Sequence, residues 1–128
     1  MYRVGIITAS DKGSKGERVD ESGPKIKEIV SDFGYEVVYY KVLPDDKETI
    51  SNEMKQLCDE NVVDLILTTG GTGFSKRDNT PEATLAIAEK LVPGISEAIR
   101  SYSMQFTKKA MLSRGVSVIR KETLIINM

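Results

Sequence analysis

Residues 68–84 read TTGGTGFSKRDNTPEAT, a stretch that joins three glycines to hydroxyls at Thr72, Ser75 and Thr80 and a carboxylate at Asp78. Gly70, Gly71 and Gly73 are free to adopt positive φ and to present backbone N–H groups with no side chain in the way. Thr72 and Ser75 add hydroxyl donors, so the stretch has the makings of an anion cradle. It lacks the Gly-Lys-Ser/Thr of a Walker A loop, and it does not follow the first strand as a dinucleotide-binding glycine motif does. On spacing alone, a purely structural strand-to-helix turn stands equally open.

Asp45 adds a second carboxylate, in the sequence LPDD after another predicted strand. Two carboxylates beside an anion cradle repel a polyphosphate unless a divalent cation lies between them. Mg²⁺ suits such a place, because it is bound by one or two carboxylates together with substrate phosphate oxygens. The plain alternative is a pair of solvated loop acids. The chain has no histidine and one cysteine, Cys58. The commonest proton shuttle near neutral pH is therefore missing, and neither a zinc site nor an internal disulfide can form from a lone thiol. Any chemistry rests on carboxylates, hydroxyls, backbone amides and cations.

The elements that must position these groups follow from the pattern of the remaining residues. At 128 residues, with 40% hydrophobic and 29% charged side chains, the chain has the size and composition of a single globular domain. A net charge of −1 and the lack of long basic runs give no footprint for nucleic acid or an anionic membrane surface. No apolar run is long enough to span a bilayer and no signal-peptide pattern is present, so the expected location is the cytoplasm.

Arg3 to Ala9 reads as a strand covered on both faces, followed by a polar loop from Ser10 to Gly23. Pro24 is expected to open a helix with Ile26, Ile29, Val30 and Phe33 on one stripe, closed by Gly34. Tyr35–Leu43 and Val62–Thr69 read as strands. Between them, Asp46 is placed to cap a helix that buries Ile50, Met54, Leu57 and Cys58. Thr80 is expected to cap a further helix with Pro81 at its first position, ending at Pro93-Gly94. Ile95, Ala98, Ile99, Tyr102 and Phe106 mark the next helix, and Val116–Ile119 and Leu124–Asn127 two final strands. This order implies an α/β fold in three layers, a mostly parallel sheet with helices on both faces. Loops at Ser10-Asp11, Asp45 and Gly70–Asp78 then leave the carboxyl ends of strands, where ligands bind in such sheets.

Taken together, ITASD, DESGP, LPDD, TTGGTG with KRDNTPEAT, PGISEAIR, and MLSRG with IRKETLIIN resemble the molybdopterin adenylyltransferases. That is the family of MogA, MoaB and the gephyrin G domain, and the likeness runs nearest to MogA and covers essentially the whole chain. The resemblance implies molybdenum cofactor biosynthesis: Mg²⁺- and ATP-dependent adenylylation of molybdopterin, with release of pyrophosphate. It assigns catalysis and Mg²⁺ handling to Asp45 and Asp78. Gly70, Gly71, Thr72 and Gly73 match the loop that holds phosphate, and Ser10, Asp11, Thr80, Glu82 and Ser113 match positions lining the same pocket. It further implies a homotrimer and a partner protein that inserts molybdate. Lys76, Arg77 and Arg114 stand either as cations on the phosphates or as solvated charges.

Two other readings share the resemblance. One is a non-catalytic molybdopterin-binding or scaffold domain, as in trimeric gephyrin. The other is a competence-damage-type nucleotide hydrolase, which is expected to carry Gly-Leu-Gly and a paired Asp where this chain has Gly-Thr-Gly and Arg77-Asp78. Against the family pattern, residues 1–128 are expected to form one molybdopterin-binding domain truncated at its C-terminal end, short of a Pro-Gly loop and a last helix.

Overall fold

The structure is a computed structural model that describes residues 1–128. Its strands are β1 (Arg3–Ala9), β2 (Glu36–Leu43), β3 (Leu65–Thr69), β4 (Lys90–Leu91), β5 (Ser117–Arg120) and β6 (Thr123–Asn127). They form one six-stranded sheet in the order β2-β1-β3-β6-β5-β4. β2, β1, β3 and β6 run parallel, whereas β5 and β4 are antiparallel to their neighbours. The helices are α1 (Asp11–Ser14), α2 (Ser22–Asp32), α3 (Lys47–Asp59), α4 (Thr80–Ala86) and α5 (Pro93–Ser103), with a 3-10 turn at Lys108–Leu112.

Period-2 alternation in β1 divides the core. Val4 and Ile6 pack with Leu67 against Ile26 and Val30 of α2, while Ile7 joins Ile50, Met54 and Ile66 in the larger cluster under α3 and α4. The expected three layers are thus present. The chain leaves β1 toward β2 on one side and returns to β3 on the other, so the order switches between β1 and β3. Their carboxyl ends lie side by side, with Thr8 level with Thr69.

Several boundaries differ from expectation. The Ser10–Gly23 loop contains the short α1, because the Ser10 hydroxyl accepts a hydrogen bond from the Gly13 N–H at 2.9 Å and closes a turn. α2 begins at Ser22, ahead of Pro24, and Ile29 and Phe33 on its expected stripe are 47% and 78% exposed. β3 starts at Leu65, since Asp64 turns aside to receive Arg3. Asp46 does cap α3, accepting from Thr49 N–H at 3.0 Å.

Asn79, not Thr80, occupies the cap position of α4, and that helix ends at Ala86. Beyond it the backbone joins the sheet edge as β4, with Glu89 N–H donating to Ile119 and Val92 N–H to Ser117. Edge pairing of two residues carries no periodicity by which it could be foreseen. α5 stops at Ser103, so Phe106 lies past its end, edge-to-face on Tyr102.

Candidate active site

Three loops meet at the carboxyl edge of the sheet, and Asp11 ties them together. Its Oδ1 accepts the Asp45 N–H at 3.0 Å, and Arg77 grips the same carboxylate with Nε (3.0 Å) and Nη2 (2.8 Å). The Arg77 guanidinium, followed by the Asp45 N–H, pulls the Asp11 carboxyl down to about 2. Each of the three predicted loops therefore supplies one member of a single hydrogen-bonded chain.

Asp45 is only 6% exposed. Its Oδ1 accepts the Asn79 N–H at 3.2 Å, and Asn79 Nδ2 reaches back to the Asp45 carbonyl at 3.4 Å. Burial pushes the Asp45 carboxyl above the ordinary aspartate range, and the charges of Asp78 and Asp11 act in the same direction against the Asn79 N–H. The fold thus holds Asp45 close to two other carboxylates, an arrangement that a cation would relieve. Asp78 lies at the other end of the glycine loop, where its Oδ2 accepts the Ser75 N–H at 2.9 Å.

The glycines between these acids are required by space. Gly70 (φ +89°) presses against the Ala9 carbonyl, so a methyl group there has no room. At Gly71 (φ +73°) an added Cβ would overlap the Thr80 hydroxyl and stand 2.9 Å from Asp45 Oδ2. At Gly73 it would stand 2.7 Å from Asp78 Oδ2. Gly71 and Gly73 thus bring bare backbone against both acids. Thr80 Oγ1 is wholly buried and has no hydrogen-bond partner, although its N–H donates to the Gly71 carbonyl at 3.2 Å. An orphaned hydroxyl, a buried carboxylate and a floor that a Cβ would fill form a donor set of hard oxygens.

Such oxygens suit the chemistry of a hard cation such as Mg²⁺, which Asp45 and Asp78 would hold only with substrate phosphate oxygens completing the set. By themselves the side chains are insufficient, since no group of three or more His, Cys, Asp or Glu residues converges on a metal position.

The remaining expected positions divide. Ser10 and Asp11 are in place, but the Ser10 hydroxyl is engaged in capping α1. Glu82 faces Arg114, which donates to it at 2.6 Å, and the Arg114 N–H donates to the Thr72 carbonyl at 3.0 Å. Ser113 accepts from the Gly115 N–H at 3.3 Å and its carbonyl from Arg100, with no hydrogen bond to either aspartate.

A cleft of about 490 Å³ opens across Gly70 from the aspartates, between β1 and α2. Ser10, Thr69 and Gly70 line it, and so does Asp20 of DESGP, whose partners lie on β1 and β2 and leave no local signal in the sequence. Thr8 Oγ1 donates to the Asp20 carboxylate at 2.8 Å and the Tyr40 hydroxyl donates to it as well. Burial would raise the Asp20 carboxyl, but these donors and the Gly23 and Ser22 N–H groups together hold it low. Asn79 was also missed. Its grip on Asp45 depends on a meeting of two loops that leaves no local signal.

Residues 5–128 match the family described as probable molybdopterin binding domain. A molybdopterin adenylyltransferase of Haemophilus influenzae is 41% identical over all of this chain, which spans 66% of that protein's length. One from Helicobacter pylori is 40% identical over 98% of this chain and 72% of its own. The crystal structure of the molybdopterin biosynthesis enzyme MoaB from Thermus thermophilus superposes with a TM-score of 0.93 at 44% identity, over 100% of this chain and 80% of that one. On the family match over nearly the whole chain and these identities, the chain belongs to the molybdopterin adenylyltransferases, an enzyme family of molybdenum cofactor biosynthesis.

Proposed function

We propose that this chain adenylylates molybdopterin, using MgATP and releasing pyrophosphate. The observation that carries this reading is the buried Asp45 carboxylate, facing bare backbone at Gly71 beside the unpartnered Thr80 hydroxyl. In the reaction, a terminal phosphate oxygen of molybdopterin attacks the α-phosphorus of ATP. The new P–O bond forms as the bond to the β-phosphate breaks, and the electron pair leaves with pyrophosphate.

A phosphate monoester is already anionic at neutral pH, so the protein need not generate the nucleophile, and the lack of histidine is consistent with that. Mg²⁺, if held by Asp45 and Asp78, would supply charge neutralisation to the phosphates. The chain's own work is positioning: Asp45 and Asp78 fix the cation side, while Gly70, Gly71 and Gly73 let backbone N–H groups approach phosphate oxygens. Thr80 offers the one buried hydroxyl free to donate.

The reading carries with it a cytoplasmic homotrimer that passes its product to a molybdate-inserting protein. Tyr102, Phe106, Leu91 and Met111, each more than 60% exposed, supply apolar surface for contact between copies. The test is pyrophosphate release from ATP on addition of molybdopterin and Mg²⁺, with Asp45→Ala measured in parallel. Release that needs molybdopterin, Mg²⁺ and Asp45 is expected. Molybdopterin binding without any release from the unaltered chain would favour the scaffold reading.

A further inference from the structure

We infer that Arg114 is the positioning residue of the site, a clamp that sets the curvature of the glycine loop and thereby the place of Asp78. Its guanidinium reaches both ends of the exposed crest of that loop. Nε donates to the Gly73 carbonyl at 2.8 Å and Nη2 to the Asp78 carbonyl at 2.8 Å. The backbone N–H of Arg114 adds a third tie, to the Thr72 carbonyl at 3.0 Å. Across the crest itself the loop has only the Asp78–Ser75 turn and the exposed Arg77–Asp11 pair.

Glu82 aims the clamp. Both its oxygens receive guanidinium donors, at 2.6 Å from Nη1 and 3.4 Å from Nη2, and Arg114 in turn holds the Glu82 carboxyl below its ordinary range. With Nε, Nη1 and Nη2 all directed at protein oxygens, Arg114 acts on the geometry of the loop and not on a phosphate. A planar fork can bridge two carbonyls and a carboxylate at once, and a lysine ammonium cannot reproduce that fork. Charge and geometry therefore separate in one substitution: Arg114→Lys keeps the first and loses the second.

The catalytic side of this inference rests on the adenylyltransferase reading. In the pyrophosphate assay, Arg114→Lys and Arg114→Ala are both expected to lose about 100-fold in kcat/KM, the cost of a small misplacement of reacting groups. Both are expected to need more Mg²⁺ for half-maximal rate, and free guanidinium ion should restore part of the Arg114→Ala rate. Arg3→Ala removes a comparable clamp, on Asp64 and Asn61 at the far end of β1, and should lower the melting temperature without changing the Mg²⁺ requirement.

Hydrogen exchange of the ligand-free chain supplies the second arm. Amides of Ser75, Asp78 and Thr80 should lose protection in Arg114→Lys while those of β1 and β3 keep theirs. Near-normal turnover by Arg114→Lys, or unchanged exchange across residues 73–80, overturns the inference. If the unaltered chain releases no pyrophosphate, the adenylyltransferase reading fails and the exchange result alone decides the role of Arg114.

Discussion

Asp45 holds its proton more tightly than a free aspartate because it is buried beside Asp78 and Asp11. For a group whose pKa rises on folding, the stabilisation is complete below the unfolded value and is lost as pH climbs through the folded one. At neutral pH the ionised carboxylate therefore opposes folding. Asp45→Asn, which can still accept the Asn79 N–H, is expected to melt at a higher temperature at pH 7, with the advantage gone below about pH 4. The same variant should release no pyrophosphate. Equal melting temperatures at pH 7 would show that the carboxylate carries no such cost.

Asp11 has the opposite sign. Its carboxyl is held at about 2 by Arg77, so its contribution is present above the ordinary value of 3.8 and is lost as pH falls toward 2. Arg77→Gln should return the Asp11 titration upward and shift acid unfolding to higher pH, as carboxyl NMR and circular dichroism would record. Asp78→Asn is expected to slow adenylylation by about 100-fold or more while molybdopterin is still bound, as loss of transition-state charge stabilisation predicts. Wild-type turnover in that variant would remove Asp78 from the chemistry.

At the scale of elements, glycine separates positions that share a residue type. Gly70 has φ +89° and abuts the Ala9 carbonyl, while Gly94 has open space around it within α5. Gly70→Ala is expected to cost about 1–3 kcal/mol in backbone strain, and Gly94→Ala to be neutral or stabilising by up to about 1 kcal/mol. Urea denaturation of the two variants compares them directly. Similar losses at both would mean that the Gly70 loop yields more readily than its contact with β1 suggests.

The elements legible in the sequence were those with a strong period or a cap. β1 and α3 came out at or near their observed bounds, since a continuous apolar run and an Asp46 cap are local signals. The roles of Thr80 and Arg114 were not legible in the same way. Thr80 follows Asn79 and precedes Pro81, which looks like a cap, yet its hydroxyl is turned inward toward Gly71. Arg114 stands 36 residues from Asp78, and only the folded chain brings them together.

For the whole molecule, the site's outline was readable because all three of its loops leave parallel strands on one edge of the sheet. Asp20 and Asn79 were not readable, because they find their partners on other elements, and for Glu82 it is the pairing with Arg114 that only the fold shows. The exposed Tyr102, Phe106 and Leu91 belong to this scale as well. Light scattering is expected to give three times the 14.2 kDa chain mass, and a Phe106→Asp variant to dissociate. A monomer at micromolar concentration would refute the trimer.

β6, the strand furthest along the chain, lies inside the sheet between β3 and β5. Its Asn127 side chain bridges Thr68 and Thr84 at 3.0 and 3.1 Å, and the Met128 N–H donates to the Thr68 carbonyl at 2.8 Å. During synthesis β3 therefore waits as an open edge while residues 70–122 are added, and the glycine loop has no settled wall beside it. Parallel β1–β3 and β3–β6 pairing each close more than about fifty residues, so both non-local closures are expected to slow folding, and β6 is the later of the two to be synthesised. A chain halted before Thr123 is expected to expose the β3 edge that β6 covers in the folded sheet, the kind of unpaired edge that invites aggregation.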